Sequence, residues 1–226
     1  MSDIYHVLNR GVDKRNIFLD QQDYLRFIHD LFEFNDDRII GTTSSYFKTS
    51  NRNNDLVSRN IKKPRKLLVS IHAFCLMPNH FHLLLDPIIE NGISKFLRKL
   101  DMGYAKYFNI KYKRKGTLFE GRYKSILVSE SNHFLNLPYY IHLNPLDLKF
   151  SEWRERKLKD HNKAIEYLNN YRWSSHLDYC GKKNFPSVTN REFLLDVFGG
   201  EEKYKKDINK WLQEMEIDSM RELVLE

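Results

Sequence analysis

Two histidines one residue apart, His80 and His82, stand in the run Met77-Pro78-Asn79-His80-Phe81-His82-Leu83-Leu84-Leu85. On a β-strand, residues two apart leave from the same face, so both imidazoles aim at one point while Phe81 and Leu83 go to the other side. Neutral imidazole is the commonest protein ligand for divalent metals, and such a pair is half of a site that needs a third donor from elsewhere in the fold. The same spacing equally suits two polar residues on the solvated face of a half-buried strand. A second run, Tyr139-Tyr140-Ile141-His142-Leu143-Asn144-Pro145, sets Tyr140 and Asn144 four apart, so on a helix they stack on one face and reach a common target. Phe134, Leu137 and Ile141 form the apolar face of that helix, about a quarter turn from the stripe His133, Tyr140, Asn144. Taken alone, Tyr140 reads as an aromatic at the edge of the core with its hydroxyl in water.

The elements that must position these residues are legible from periodicity. Ile4 to Leu8 reads as a short strand, followed by a turn at Arg10-Gly11-Val12-Asp13. Asp20 can N-cap a first helix with Asp23 in its first turn and Tyr24, Phe27, Ile28 and Leu31 on a core face. Periodicity vanishes from Asn35 to about Lys66, a polar insertion that ends in the basic cluster Arg59, Lys62, Lys63, Arg65, Lys66. Leu67 to Met77 and His80 to Leu85 read as the two strands of a hairpin turning at Pro78-Asn79. A second helix follows Asn91 with the stripe Ile93, Phe96, Leu97, Leu100, Tyr104, Tyr107, Phe108. Tyr123 to Val128 reads as a strand, and Ser129 can cap a third helix that ends at Asn144-Pro145 because proline disfavours helical geometry in the residue before it. Pro138 within that helix implies a restart or a kink.

The order strand, helix, strand, strand, helix, strand, helix predicts an α+β, ferredoxin-like antiparallel sheet with helices packed on one face, followed by a mostly helical C-terminal extension. The expected division is residues 1–150 for the domain bearing the two motifs, with the insertion at about 35–66, and 151–226 for the extension. His6, His72 and His142 read as strand or helix fillers, although His72 could approach the His pair. Trp173 and Tyr179 read as anchors of the extension.

Composition narrows the class of partner. The chain has 226 residues, 41% hydrophobic and 14% aromatic, with a formal net charge of +7 and a pI of about 9.2. No run approaches the ~18 apolar residues of a membrane span, and no basic-then-apolar leader follows Met1, so a cytoplasmic protein with no membrane partner is expected. Two cysteines, Cys75 and Cys180, give neither a disulfide framework nor a Cys-based zinc site. The positive charge is concentrated: between Gly92 and Lys124 ten Lys/Arg face two acids, whereas the tail from Glu201 to Glu226 holds eight acids and five bases. Lys95, Arg98, Lys99, Lys106, Lys111, Lys113, Arg114, Lys115, Arg122 and Lys124 therefore form a candidate track for a nucleic-acid backbone, with Tyr112 able to stack on a base.

Together the motifs resemble the HUH single-tyrosine transposases, and specifically the REP-associated tyrosine transposases. The resemblance rests on His-hydrophobic-His on a strand, followed about fifty to sixty residues later by Tyr-Ile-His-Leu-Asn-Pro on a helix. It also rests on Tyr5-His6-Val7-Leu8-Asn9-Arg10-Gly11, on Asp20 with Asp23-Tyr24, on the string from Gly116 to Ser125, and on Tyr171-Arg172-Trp173-Ser174-Ser175 with Tyr179. It covers roughly residues 4–181. The resemblance implies that His80, His82 and Asn144 bind a divalent ion, Mg²⁺ or Mn²⁺, and that Tyr140 is the nucleophile of a single-stranded DNA endonuclease and strand transferase acting through a 5′-phosphotyrosine. Single-stranded or hairpin DNA is the implied substrate, and monomer and homodimer stay open. Two other readings compete: a non-catalytic, domesticated hairpin-DNA-binding protein, and a metal-dependent phosphoesterase in which Tyr140 is structural.

Overall fold

The computed structural model describes residues 3–38, 64–129, 131–155 and 157–214. Most of the polar insertion, including Arg59, Lys62 and Lys63, lies outside the described residues, as does the end of the acidic tail.

Strand β1 (Tyr5–Arg10) leads through a short turn to helix α1 (Gln21–Glu33). Asp20 caps α1 as its side chain invites: the Asp20 carboxylate accepts from the Asp23 backbone, and the Asp23 carboxylate accepts from that of Asp20. Strands β2 (Val69–Met77) and β3 (His80–Pro87) form the expected hairpin around Pro78-Asn79. Helix α2 (Gly92–Lys111), strand β4 (Lys124–Leu127) and helix α3 (Ser131–Leu143) complete the motif-bearing part. Helix α3 runs through Pro138, and a 3-10 turn (Asn144–Leu148) takes over at Asn144-Pro145.

The sheet order is β2-β3-β1-β4, antiparallel throughout. This is the ferredoxin-like arrangement, and the α+β class is as expected. The layering differs. Helices α1 and α2 cover one face, where Phe27, Leu31, Phe96, Leu97 and Tyr104 pack on Val7, Phe74, Leu76, Phe81, Leu83 and Leu85. The opposite face is covered as well, by α3 and the extension, whose Leu137, Ile141, Tyr179 and Tyr204 share a cluster with Ala73, Cys75, Met77 and Leu84. The reason is in β2 itself. A strand apolar on both sides, buried at every position but Ser70, must be covered on both sides.

The extension comprises helices α4 (His161–Asn170), α5 (His176–Tyr179), α6 (Glu192–Phe198) and α7 (Glu201–Glu214). Its Trp173-Ser174-Ser175 segment lies along the free edge of β2: Leu76 N–H donates to the Trp173 carbonyl (2.9 Å) and Ser175 N–H to that of Phe74 (3.0 Å). The segment thereby occupies a strand edge that would otherwise invite pairing with another chain. Trp173 also stacks on Tyr24 (4.6 Å between centroids), and the Tyr179 hydroxyl donates to the His72 carbonyl (2.7 Å), so both anchor the extension.

Candidate active site

The hairpin tip that carries His80 is held from the side by the loop after β1. Gly11 N–H donates to the Asn79 carbonyl (2.8 Å), and Ile17 and Phe18 N–H donate to that of Pro78 (2.8 and 3.1 Å). A Cβ at Gly11 would overlap the Arg15 carbonyl oxygen, which is why the turn that braces the tip takes glycine.

From this tip His80 and His82 project from one face, as their spacing requires, with ring centroids 4.9 Å apart at 82°. His80 is half-buried and His82 fully buried. His80 Nδ1 lies 2.6 Å from Asn79 Oδ1, and His82 Nδ1 lies 3.0 Å from Nε2 of His6. Each Nδ1 is thus engaged by a neighbouring side chain, an arrangement that fixes the ring; where Nδ1 is the donor of that contact, Nε2 is left as the ring's acceptor. Burial, and then the nearby positive charge of Arg154, pull His82 down to about 3, so that it is neutral at physiological pH, the form a metal requires.

Tyr140 comes to the same place from the other layer. Its ring lies 6.3 Å from that of His82, at right angles. The expected surface-edge position is corrected here: Tyr140 and Asn144 are both 0% exposed, because the extension covers the flank of α3 that the sequence leaves half polar. Asn144 Nδ2 donates to the Tyr140 carbonyl (3.0 Å), one helical turn back. Tyr139 points away into the extension, against Phe198 and Tyr204 (4.9 and 5.4 Å), and burial pushes its phenol up.

The register of α3 is pinned two residues beyond Tyr140. His142 Nε2 is 2.7 Å from Ser175 Oγ and its Nδ1 2.8 Å from the Tyr204 hydroxyl, which lies 2.9 Å from Nδ1 of His176. Ser175 Oγ also accepts from the Phe74 N–H (2.9 Å), linking α3 to β2 and α7 through one buried network. Burial holds His142 well below the usual imidazole value.

One side chain absent from the sequence reading dominates the cluster. Arg154 donates from Nη1 to the Tyr140 hydroxyl (3.0 Å) and from Nη2 to Asn144 Oδ1 (3.0 Å). It is itself gripped by Asp147, through Nε to Oδ1 (2.8 Å) and Nη2 to Oδ2 (2.6 Å), while Trp153 Nε1 donates to the same carboxylate (2.6 Å). An arginine in Glu-Trp-Arg-Glu has no periodicity and reads as surface charge, so nothing local signals this role. His6, by its position a strand filler, faces His82. His72 pairs instead with Asp86 (2.5 Å), at the end of the hairpin away from its tip.

The donor chemistry suits a divalent cation at the His pair. Among the described residues no three His, Cys, Asp or Glu side chains converge as a metal site. On the assignment that the resemblance implies, His80, His82 and the carboxamide of Asn144 would hold the cation, with substrate or water oxygens completing its shell.

The basic residues divide between the two faces. Helix α2, with Lys95, Arg98, Lys99, Lys106 and Lys111, lies across the sheet from the imidazoles. Lys111 is bound to Asp20 (2.8 Å) and Asp23 (2.7 Å), Lys99 donates to the carbonyls of Asp36 and Arg38, and Lys95 lies 3.9 Å from Asp37. Lys113, Arg114 and Lys115 follow α2, with Arg114 donating to Asn109 (3.1 Å). Arg122 and Lys124 instead line a cleft of about 240 Å³ with Leu8, Arg10 and Glu120. Leu8 pairs with both His82 and Lys124, and Arg10 pairs with His80. Residues directly opposite in an antiparallel pair share a face, which puts Arg10 and Lys124 on the imidazole side.

Residues 45–144 match the family model described as "Transposase IS200 like", a span that contains His80, His82, Tyr140 and Asn144. Over these residues the family comparison agrees with the motif resemblance at the level of IS200-like transposases. No curated protein matches the chain. A solved structure described as "Structure of the REP associates tyrosine transposase bound to a REP hairpin" aligns over 84% of this chain and 89% of that one, with 14% identity and a TM-score of 0.48.

Proposed function

We propose that this chain, similar to the IS200-like transposases, is a metal-dependent endonuclease and strand transferase for single-stranded or hairpin DNA, with Tyr140 as nucleophile. The observation that carries the reading is the meeting of the Tyr140 ring with His82 at 6.3 Å, both from one chain, on the face where His80 also points.

His80, His82 and Asn144 would hold a Mg²⁺ or Mn²⁺ ion, which when bound would polarise a non-bridging phosphate oxygen and offset the charge that grows in displacement at phosphorus. The Tyr140 oxygen forms the new bond to phosphorus, and its phenol proton passes to water. The bond from phosphorus to O3′ breaks, and that oxygen takes up a proton to become a free 3′-hydroxyl. One phosphodiester is exchanged for another, so a 3′-hydroxyl can attack the 5′-phosphotyrosine and rejoin strands without a nucleotide cofactor. Asn144, one turn from Tyr140 and bonded to its carbonyl, holds the backbone that carries the nucleophile in a set register.

The test is capture of a covalent adduct from Mn²⁺ and a labelled library of randomised single strands that include foldback stems. The expected product is a nucleotide-modified peptide at Tyr140, lost in Tyr140→Phe and kept in Tyr139→Phe. An adduct that survives Tyr140→Phe overturns the assignment. The complete burial of Tyr140 favours a second reading, a hairpin-DNA-binding protein without cleavage, for which the library is bound and no adduct forms at any metal concentration.

A further inference from the structure

The Arg154–Asp147 ion pair is the outer edge of the Tyr140 cluster. The Arg154 side chain is 23% exposed and that of its partner Asp147 is 26% exposed, whereas Tyr140 and Asn144 are sealed beneath. A phosphodiester approaching the Tyr140 oxygen from solvent meets this ion pair, whose guanidinium is its attractive half. The fork of an arginine matches two phosphate oxygens. The same side chain now occupies Asn144 Oδ1, the atom a cation at the His pair would recruit, and adds a positive charge that such a cation must approach.

We propose that Arg154 is the residue that receives the scissile phosphate, and that its hydrogen bonds to Tyr140 and Asn144 are resting contacts which phosphate and cation replace. The inference rests on the nuclease reading. Asp147 is the pivot: it grips Nε and Nη2, so rotation of the fork about this ion pair moves Nη1 off the phenol while the charge stays at the mouth of the site. As phosphate draws the guanidinium outward, Asn144 Oδ1 and the Tyr140 oxygen are uncovered together. Metal binding and DNA binding are then coupled through one side chain: each removes an obstacle to the other, and neither reaches full affinity alone.

The test uses the full chain and Mn²⁺ alone, with free ion read by electron paramagnetic resonance. Without DNA, Arg154→Ala is expected to bind Mn²⁺ about tenfold more tightly than the parent, the size of effect that loss of one neighbouring charge and release of one ligand can give. His80→Ala, with one imidazole removed, is expected to bind more weakly than the parent. In the adduct assay at saturating DNA, Arg154→Ala is expected to turn over at least about tenfold more slowly, with little change in the DNA concentration needed. Arg154→Lys keeps the charge but cannot span Tyr140, Asn144 and Asp147 at once. It guards against a folding defect in the alanine variant, and is expected to show the same two changes in smaller measure. Mn²⁺ affinity in both variants equal to or weaker than the parent's overturns the proposal, as does parental turnover in Arg154→Ala. The two failures separate: an adduct at Tyr140 with unchanged Mn²⁺ affinity refutes the role of Arg154 and keeps the nuclease, whereas tighter Mn²⁺ binding with no adduct from the parent refutes the nuclease.

Discussion

Asp101, the only acid of α2, shows how far one residue can sit from its solution behaviour. It faces β1, where Asn9 Nδ2 donates to its Oδ2 (2.8 Å), and burial raises it from 3.8 to about 7 against the lowering effect of that bond. Below about pH 4 folded and unfolded chains both carry the proton; between about 4 and 7 only the folded chain keeps it. Stability from this group is therefore complete at low pH and declines as pH rises to about 7. Asp101→Asn, whose amide oxygen can still accept from Asn9, is expected to be more stable than the parent at pH 8 by on the order of 1–3 kcal/mol and nearly equal to it at pH 4, as read from denaturant midpoints. A gap that does not grow between those pH values would show that Asp101 stays ionised in the fold. Arg154 and His82 teach the same lesson with opposite charge. Residue type suggests a surface cation and a titrating imidazole, whereas Arg154 is tied to Tyr140 and Asp147, and burial and its charge make His82 a neutral ring.

Helix α3 depends less on its own sequence than on what grips it. Its apolar positions bury it, but the register that points Tyr140 at His82 is set by the network His142, Ser175, Tyr204 and His176. Ser175 Oγ donates to the Phe74 carbonyl (3.3 Å), so a consistent proton order is His142 Nε2–H to Ser175, Tyr204 to His142 Nδ1, and His176 Nδ1–H to Tyr204. Tyr204→Phe leaves the His142 and His176 nitrogens without that hydroxyl in a sealed site, a loss of about 1–3 kcal/mol. At roughly 2–4 °C per kcal/mol for a chain of this size, a fall in Tm of several degrees is expected by calorimetry. Ser175→Ala also takes the acceptor from the Phe74 N–H and is expected to fall at least as far. A Tm unchanged in both would mean that packing alone sets the register of α3.

At the scale of the molecule the sheet separates two electrostatic surfaces. One carries Arg10, paired with Glu120, and Lys124 on the imidazole side; the other carries the α2 cations, several of them tied to carboxylates or carbonyls. If the strand to be cut crosses the imidazole face, replacing Arg10 and Lys124 by Ala is expected to weaken single-strand binding and reduce the log-log salt slope by about 0.7 per lost phosphate contact. Lys106→Ala on α2 then leaves the slope nearly unchanged. The reverse pattern in a salt titration would place the DNA track on α2. Charge density along the chain cannot separate these outcomes, because neighbours in sequence reach opposite faces only after the sheet has formed.

The sequence by itself determined the elements and their order: the Asp20 cap, the Pro78-Asn79 hairpin, the stripe of α2, and the period of two that puts His80 and His82 on one side. These are local facts, fixed by backbone geometry within a few residues. It also named Tyr140 and Asn144, through the motif they share. Only the tertiary structure decided that both faces of the sheet are covered, that Tyr140 is sealed, that Arg154 and His6 join the cluster, and which basic residues lie near it. Each of these depends on partners distant in the chain, His6 from His82 and Ser175 from Phe74. No periodicity of a segment encodes what will be packed against it.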